Sequence, residues 1–404
     1  MHVLYIHQHF TTNAGASGTR SYDYARYLVR AGHRVTVVTG VYALGPFAGK
    51  LGRLVETRRI EGVRVVVVNV PYANQMSYLG RVTSFLLFAA LSVVACLRQG
   101  RVDVVLATST PLTVGIPALA MRWLRRVPYV FEVRDIWPEF AVSLGALTSP
   151  LLIRIAQWAE RLFYRHAARV QTISEGMRRL LAGRGLPPEK LTLIPTGVDL
   201  SLYRNLEPDD SLRRQAGWAG RLVAVYAGAH SDANGLEYLI QAAEILKGDD
   251  RIGLLLIGEG RRKADLMVEV ARRGLTNLAF RPRMPKERLI RVLADAEVGL
   301  VILKPLPEFA IAMPNKLFDY LAAGLAVAVN FEGDASEALR QAGAGLACDP
   351  HDPSALADAL RRWADDRDAL VRARRAAREL AGGYDRRVWA PRLAAVLSSA
   401  ARQR

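Results

Sequence analysis

Short apolar runs recur along the chain, each followed by a stretch whose apolar positions return every three to four residues. The first six runs lie at 3–6, 34–39, 63–68, 103–107, 129–133 and 170–173. Their near-continuous Val, Ile and Leu content suits parallel strands covered on both faces. The alternation with helical patterns, beginning with 20–31, predicts right-handed βαβ crossovers. Around 193–202 (LIPTGVDLSL) the series is broken by Pro195, Gly197 and Asp199, as a linker would break it. It then restarts, with strands predicted at 222–226, 254–257, 278–280, 298–303, 326–329 and 345–347. Between the first two, a helix over 235–247 places Leu236, Leu239, Ile240, Ala243 and Leu246 on one face. The expectation is an α/β protein of two successive Rossmann-like domains, 1–197 and 198–385. A final helix, about 386–404, is expected to return to the first domain by analogy with two-domain folds of this kind. Ligands of such folds sit at the carboxyl ends of the strands.

The run at 82–97 (VTSFLLFAALSVVACL) is the one candidate for a membrane span. It is shorter than the ~20 residues a crossing needs, so a buried helix between sheet strands is expected. The opening MHVLYIHQHF has the pattern of a strand and none of the features of a signal peptide. The expected location is cytoplasmic, with peripheral attachment to the inner face of the plasma membrane left open.

About half of the residues are apolar and 23% are charged, which allows large cores in a globular protein. The formal net charge is +17, carried mostly by arginine, and favours anionic partners. The alternative is an Arg- and Ala-rich composition whose charge lies on solvated faces. One basic helical surface, Arg122, Arg125 and Arg126, then Arg161, Arg165, Arg169, Arg178 and Arg179, has Trp123, Trp158 and Phe163 interleaved among its arginines. It suits an anionic membrane surface, or equally an ordinary Arg-rich surface over buried aromatics. Nucleic acid is not expected as a partner, because no recognition motif or basic-aromatic strand platform is present. Cys96 and Cys348 form no CxxC or Cys/His cluster, so neither a disulfide nor a zinc site is expected.

Four constellations have chemical potential. The loop 11–20 contains Gly15 and Gly18 and leads through Arg20 into a helix, a place for an anion. A plain turn with Ser17 or Thr19 as helix cap fits equally well. Arg134 and Asp135 leave a strand's carboxyl end, where Asp135 would orient or deprotonate a hydroxyl and Arg134 would hold a phosphate. The alternative is a structural Arg–Asp pair capping the next helix. In 313–324 (MPNKLFDYLAAG), Lys316 lies in a first helical turn, against the helix dipole, which makes sense if it meets a bound anion. Asp319 lies near the same face and would accept hydrogen bonds from ribose hydroxyls. Finally, Gly228-Ala229 and Gly258 turn the chain at two strand ends.

With these in place, the chain resembles the retaining family-4 (group 1) glycosyltransferases over essentially its whole length. The matching words are GHRVTVVTG (32–40), TGVDLSLY (196–203), YAGAHSDANGLEYLIQAA (226–243), LLLIGEGR (254–261) and PNKLFDYLAAGLAVAV (314–329). VRDIWPE (133–139) and the TSTPL loop (108–112) are similar to a branch that adds sugars, often amino or deoxy sugars, to polyprenyl-diphosphate-linked precursors of surface polysaccharides.

The resemblance implies the GT-B fold, two Rossmann-like domains facing each other across a cleft. It makes Asp319 the ribose-binding carboxylate, at the second Glu of the family's E-x7-E motif. Lys316, with Leu317, falls in its P-[S/N]-K word as a phosphate ligand. Gly228, Ala229 and Gly258 approach the donor phosphates. Arg283 and Met284 contact the base through their backbone. Arg134 and Asp135 align with the family's His-Asp pair, and Gly15, Gly18 and Arg20 with its acceptor-side loop. The chain departs from the pattern at Ile311, where the first Glu of the motif would stand, with Glu308 as a nearby substitute. It departs again at Asn234, where a phosphate-binding Lys is usual, leaving Lys316, Lys304 and Arg262 to supply charge.

The reaction implied is metal-independent, retaining transfer of a sugar from a nucleoside-diphosphate donor, UDP-sugar foremost, to a lipid-linked or other glycan acceptor. Asp135, Arg134 and Lys316 are its expected catalytic residues. No cofactor or metal is expected, since Asp209-Asp210 and Asp249-Asp250 lie in polar turns and make no DxD motif. The competing readings are a nucleotide-sugar epimerase on the same fold and a catalytically inactive, nucleotide-sugar-binding scaffold subunit.

Overall fold

The computed structural model describes residues 1–15, 17–47, 49, 52–73 and 75–403. The chain divides into two compact units, Met1–Pro195 with Arg386–Arg404, and Thr196–Asp385.

The first unit is built on an eight-stranded sheet. Its strands are β1 (His2–Ile6), β2 (Arg34–Tyr42), β3 (Val55–Ile60), β4 (Val63–Tyr72), β5 (Val104–Thr108), β6 (Tyr129–Val133), β7 (Arg169–Thr172) and β8 (Leu191–Leu193), in the order β3-β4-β2-β1-β5-β6-β7-β8. All neighbours are parallel except β3 and β4, which form an antiparallel hairpin at the edge. β3 (VETRRI) is a strand the hydrophobic pattern does not announce. It is an edge strand with Glu56, Arg58 and Arg59, and charge is how an exposed edge is kept from pairing further. The helices are α1 (Arg20–Arg30), α2 (Tyr78–Leu97), α3 (Gly115–Arg125), α4 (Glu139–Ser143), α5 (Pro150–His166) and α6 (Glu175–Gly183).

The second unit has six parallel strands in the order β11-β10-β9-β12-β13-β14. These are β9 (Leu222–Ala227), β10 (Ile252–Ile257), β11 (Leu278–Arg281), β12 (Val298–Val301), β13 (Ala326–Val329) and β14 (Gly345–Ala347). The helices are α7 (Ser211–Gln215), α8 (Glu237–Ile245), α9 (Lys263–Arg273), α10 (Lys286–Asp295), α11 (Asn315–Ala323), α12 (Asp334–Ala342), α13 (Pro353–Asp365) and α14 (Arg367–Gly382). Leu239, Ala243 and Leu246 of the predicted apolar face join Leu254, Leu256 and Val298 in one core, as the 3.6-residue period requires.

The last helix, α15 (Arg386–Ala401), belongs to the first unit. Leu393, Leu397 and Ala400 enter the core formed by Val3, Tyr5 and Leu106. At its start Arg386 donates to Asp23 and, at 3.0 Å, to the Thr19 hydroxyl. Thr19 in turn donates to Asp23 at 2.9 Å and makes no side-chain cap on α1. Its hydroxyl serves this cross-chain network, so the cap reading of Thr19 does not hold.

The apolar run at 82–97 is corrected in two respects. α2 is twenty residues long, and only a third of it is buried. Phe88, Ser92, Ala95 and Cys96 face inward, while the opposite edge is open. It is long and apolar enough to cross a membrane, yet in the fold it packs against β2, β4 and α3. Phe163 is likewise not a surface aromatic. It is buried against Phe131, and a side chain at Gly115 would run into its ring.

Candidate functional site

In the second unit the strand ends of β9 and β10 meet with almost no clearance. A Cβ at Gly258 would lie 1.8 Å from the Gly228 carbonyl oxygen, and Gly258 has φ of +154°, so both demands select glycine. A Cβ at Gly228 would lie 2.9 Å from Lys316 Nζ, which therefore reaches under this turn from the first turn of α11. The ammonium stands 3.8 Å from the centre of the Tyr226 ring. That ring is anchored because its hydroxyl donates to the Ala229 carbonyl at 2.8 Å. Lys316 Nζ is buried and makes no hydrogen bond among the described residues. Burial pushes its pKa down to about 7.

His230, one residue beyond Ala229, is fully buried with neither ring nitrogen hydrogen-bonded among the described residues. Burial, and then Lys263, push its pKa down to about 4, so it is neutral at pH 7. Two unsatisfied buried donors at one strand-end turn need an explanation in a folded protein, and a missing ligand is one.

Asp319, one turn along α11, does not pair with Lys316. Its carboxylate accepts from the Tyr203 hydroxyl at 2.9 Å and lies 2.5 Å from Lys286 Nζ at the start of α10. Arg283 is exposed and Met284 buried in the loop before α10. Leu317 turns its side chain into the core, and its N–H donates to the Pro314 carbonyl at 3.0 Å. Glu308 is half-buried on the 3-10 turn Pro307–Ile311. Asn234 donates to Ser231 at 2.7 Å. Of the alternative cations, Arg262 is already engaged by Glu237 and Asp265, and Lys304 is exposed.

The first unit gathers a second polar cluster at the carboxyl ends of β1, β5 and β6. Asp135 accepts from the Thr110 hydroxyl, and the Arg134 N–H donates to Ser109 Oγ at 3.1 Å. Both residues are half-buried. His7 and His9 lie close enough to feel Arg134: burial first, then that guanidinium, push His7 well below the usual range and His9 to about 3. His7 Nδ1 is 2.7 Å from Ser21 Oγ, and the His9 ring rests 4.3 Å from that of Tyr72.

Gly15 lies in a tight loop, where a Cβ would meet Thr11 Oγ1 at 2.2 Å, and Gly18 is half-buried. Ala16 of the same loop lies outside the described residues. Arg20, expected on the acceptor side, is wholly buried. It bonds Glu132 at 2.7 and 2.8 Å, the Ile194 carbonyl at 2.9 Å, and the Pro195 carbonyl. With its donors so engaged it pins α1 to β6 and to the chain leaving β8, and offers no free edge to a ligand.

Two family models match this chain, one over each half. Residues 15–197 match the glycosyl transferase 4-like domain, and residues 221–366 match the glycosyl transferases group 1. The chain belongs to the group 1 glycosyltransferases. Its curated relatives include the probable glycosyltransferase WbjE of Pseudomonas aeruginosa, 25% identical over 71% of this chain and 72% of that one. A second is the putative colanic acid biosynthesis glycosyl transferase WcaI of Escherichia coli, 27% identical over 48% of this chain and 49% of that one. Among solved structures, Anabaena HepE in complex with UDP superposes with a TM-score of 0.70 at 19% identity, covering 99% of this chain and 100% of that one. The fold is therefore GT-B, and this glycosyltransferase is an enzyme of that architecture.

Within the glycosyltransferase, sequence reasoning singled out Lys316, Asp319 and the two glycine turns, and the structure brings Lys316 and the two turns together. It passed over Tyr226, His230, Tyr203 and Lys286. His230 follows the quoted Gly228-Ala229 pair directly, and Tyr226 opens the same motif, so both were within reach. Lys286 and Tyr203 had no such signal, because their pairing with Asp319 spans 33 and 116 positions.

Proposed function

We propose that this glycosyltransferase transfers a sugar, with retention of configuration, from a UDP-sugar to a lipid-linked or other glycan acceptor in surface-polysaccharide synthesis, without a metal ion. The observation that carries the donor half is the buried Lys316 ammonium beneath the Gly228–Gly258 turn, which has no hydrogen-bond partner among the described residues. The leaving diphosphate gains negative charge as the glycosidic bond breaks, and a pre-positioned cation in a dry site stabilises that charge. Close glycine turns let backbone N–H groups approach the phosphates. Neutral His230 supplies a further N–H donor.

Asp319, held by Tyr203 and Lys286, keeps its second oxygen for a ribose hydroxyl. Asp135 and Arg134 are the proposed acceptor-side residues of the first unit, with Asp135 taking the hydroxyl proton. The free, buried thiols of Cys96 and Cys348 agree with a cytoplasmic setting. The nucleotide preference draws support from HepE, solved with UDP and with UDP-glucose, and the pathway from WbjE and WcaI.

The test is calorimetric binding of UDP, GDP, ADP and dTDP in the presence of EDTA. UDP binding that survives EDTA and is lost in Lys316→Ala supports the reading. Binding that appears only with added Mg²⁺, or that is indifferent to Lys316→Ala, overturns it.

A further inference from the structure

α2, α3 and α5 lie side by side on one face of the first unit's sheet, while α1 and α15 cover the other. The outward edge of a helix in a soluble layer is normally charged. On α2 that edge carries Leu79, Leu86, Leu87 and Val94, all exposed, with Thr83 and Ala90 between them. Arg81 is the single charged residue in the helix. α3 continues the face with Trp123, 57% exposed, and Leu124. α5 adds Leu151, Ile155 and Trp158, the last 63% exposed. An apolar surface spread over three neighbouring helices is far more than the scattered exposed leucines of any protein.

Its charge is one-sided. Arg98 caps α2, Arg122 and Arg125 close α3, and Arg154, Arg161 and Arg165 run along α5. The only carboxylate on the three helices is Glu160, which is buried and whose pKa burial raises to about 7. Between the ends of α3 and α5, Arg122, Arg165 and His166 line an open polar hollow beside Trp123, whose ring meets that of His166 edge-on at 5.5 Å. Apolar side chains with tryptophan, flanked by arginine and lacking acid, match the boundary between acyl chains and anionic headgroups. A second copy of the chain does not fit, because it would set arginine against arginine in a protein of net charge +17. Since α2 is held against the sheet by its inner edge, the face would lie in the lipid interface rather than span it.

We infer that the outer face of α2, α3 and α5 is a docking surface for an anionic lipid bilayer, with the hollow at Arg122, Arg165 and His166 receiving a headgroup phosphate. The experiment is flotation of the full chain with vesicles of phosphatidylcholine alone or mixed with phosphatidylglycerol. The expected result is binding to the mixed vesicles that falls with salt. Arg154→Gln with Arg161→Gln should weaken it roughly fivefold for each arginine removed. Leu86→Gln, Leu87→Gln and Trp158→Gln together should weaken it at least as far.

Equal binding to both vesicles, no binding to either, or binding unchanged in the variants overturns the inference. So does a lipid-free dimer that the same variants dissolve. An unchanged unfolding midpoint shows that the variants fold. UDP binding in the same samples reports on the donor site separately, so a failed donor reading and a failed lipid reading are distinguishable.

Discussion

Two buried cations divide the labour of this molecule between its units. Arg20 in the first and Lys316 in the second both stand at the first turn of a helix that follows a strand-end loop, and both sit against a tyrosine ring, Tyr24 and Tyr226. Arg20 has a carboxylate. Burial opposes its charge, but Glu132 more than restores it, and its pKa is raised. Glu132 also accepts from Thr108 at 2.6 Å and from Gln171 at 2.5 Å, so the whole pair is satisfied. Among the described residues Lys316 has only the ring, and its pKa falls. A buried ion that is fully answered holds a fold together. One left unanswered destabilises it until an anion arrives, which is the pattern expected of a binding group.

The largest effect should come from breaking the answered pair. Arg20→Met leaves the buried Glu132 carboxylate without its paired cation, though still held by Thr108 and Gln171, and should lower the free energy of urea unfolding by about 4 kcal/mol. A loss below about 1 kcal/mol would equate the two sites and end the comparison.

Lys316→Met should do the opposite to stability while cutting the rate of sugar transfer roughly a hundredfold, the scale of one lost charge-stabilising donor. The stability gain should be on the order of 2 kcal/mol at neutral pH. Its pH dependence has a definite sign. A lysine whose folded pKa is about 7 holds fewer protons than the unfolded chain between that value and the ordinary lysine range. Native stability therefore rises with pH across this window, and the advantage of Lys316→Met shrinks as pH climbs. Unfolding of both proteins at pH 7 and pH 10 checks this.

Anion binding should return the missing proton to Lys316. Calorimetry of UDP binding at pH 8 in buffers of different ionisation enthalpy should show proton uptake, with affinity weakening as pH rises further. Binding with no proton exchange would mean that Lys316 is already fully charged in the free protein.

The smallest effect sharpens the picture around Asp319. Asp319→Asn should weaken UDP binding roughly tenfold, the scale of one hydrogen bond to a charged group. Lys286→Met should cost less, because Tyr203 still holds the carboxylate. If the two substitutions prove equal and non-additive, the pair rather than the carboxylate reads the ribose.

Most of the parallel strands were legible because they are buried on both faces and so read as unbroken Val, Ile and Leu. β3 was not, since an exposed edge is under selection for charge rather than for apolarity. The outward edge of α2 misled for the converse reason. An apolar helix reads as buried in sequence, and only packing tells which of its residues have neighbours. At the site, Lys316 stood out because its position opposes the helix dipole. Arg20 carried a comparable signal from its glycine loop, yet its partner is Glu132, 112 positions away and itself hidden in a strand of buried residues.

The sequence by itself determined the alternation of strand and helix, the apolar faces, the glycines at the strand ends and the chemical types of the candidate groups, because each rests on interactions within a few residues. Only the tertiary structure decided which charges are answered. Glu132, which meets Arg20, and Tyr226, which meets Lys316, come from strands remote in sequence, and their approach is set by sheet order and packing, which no local pattern encodes.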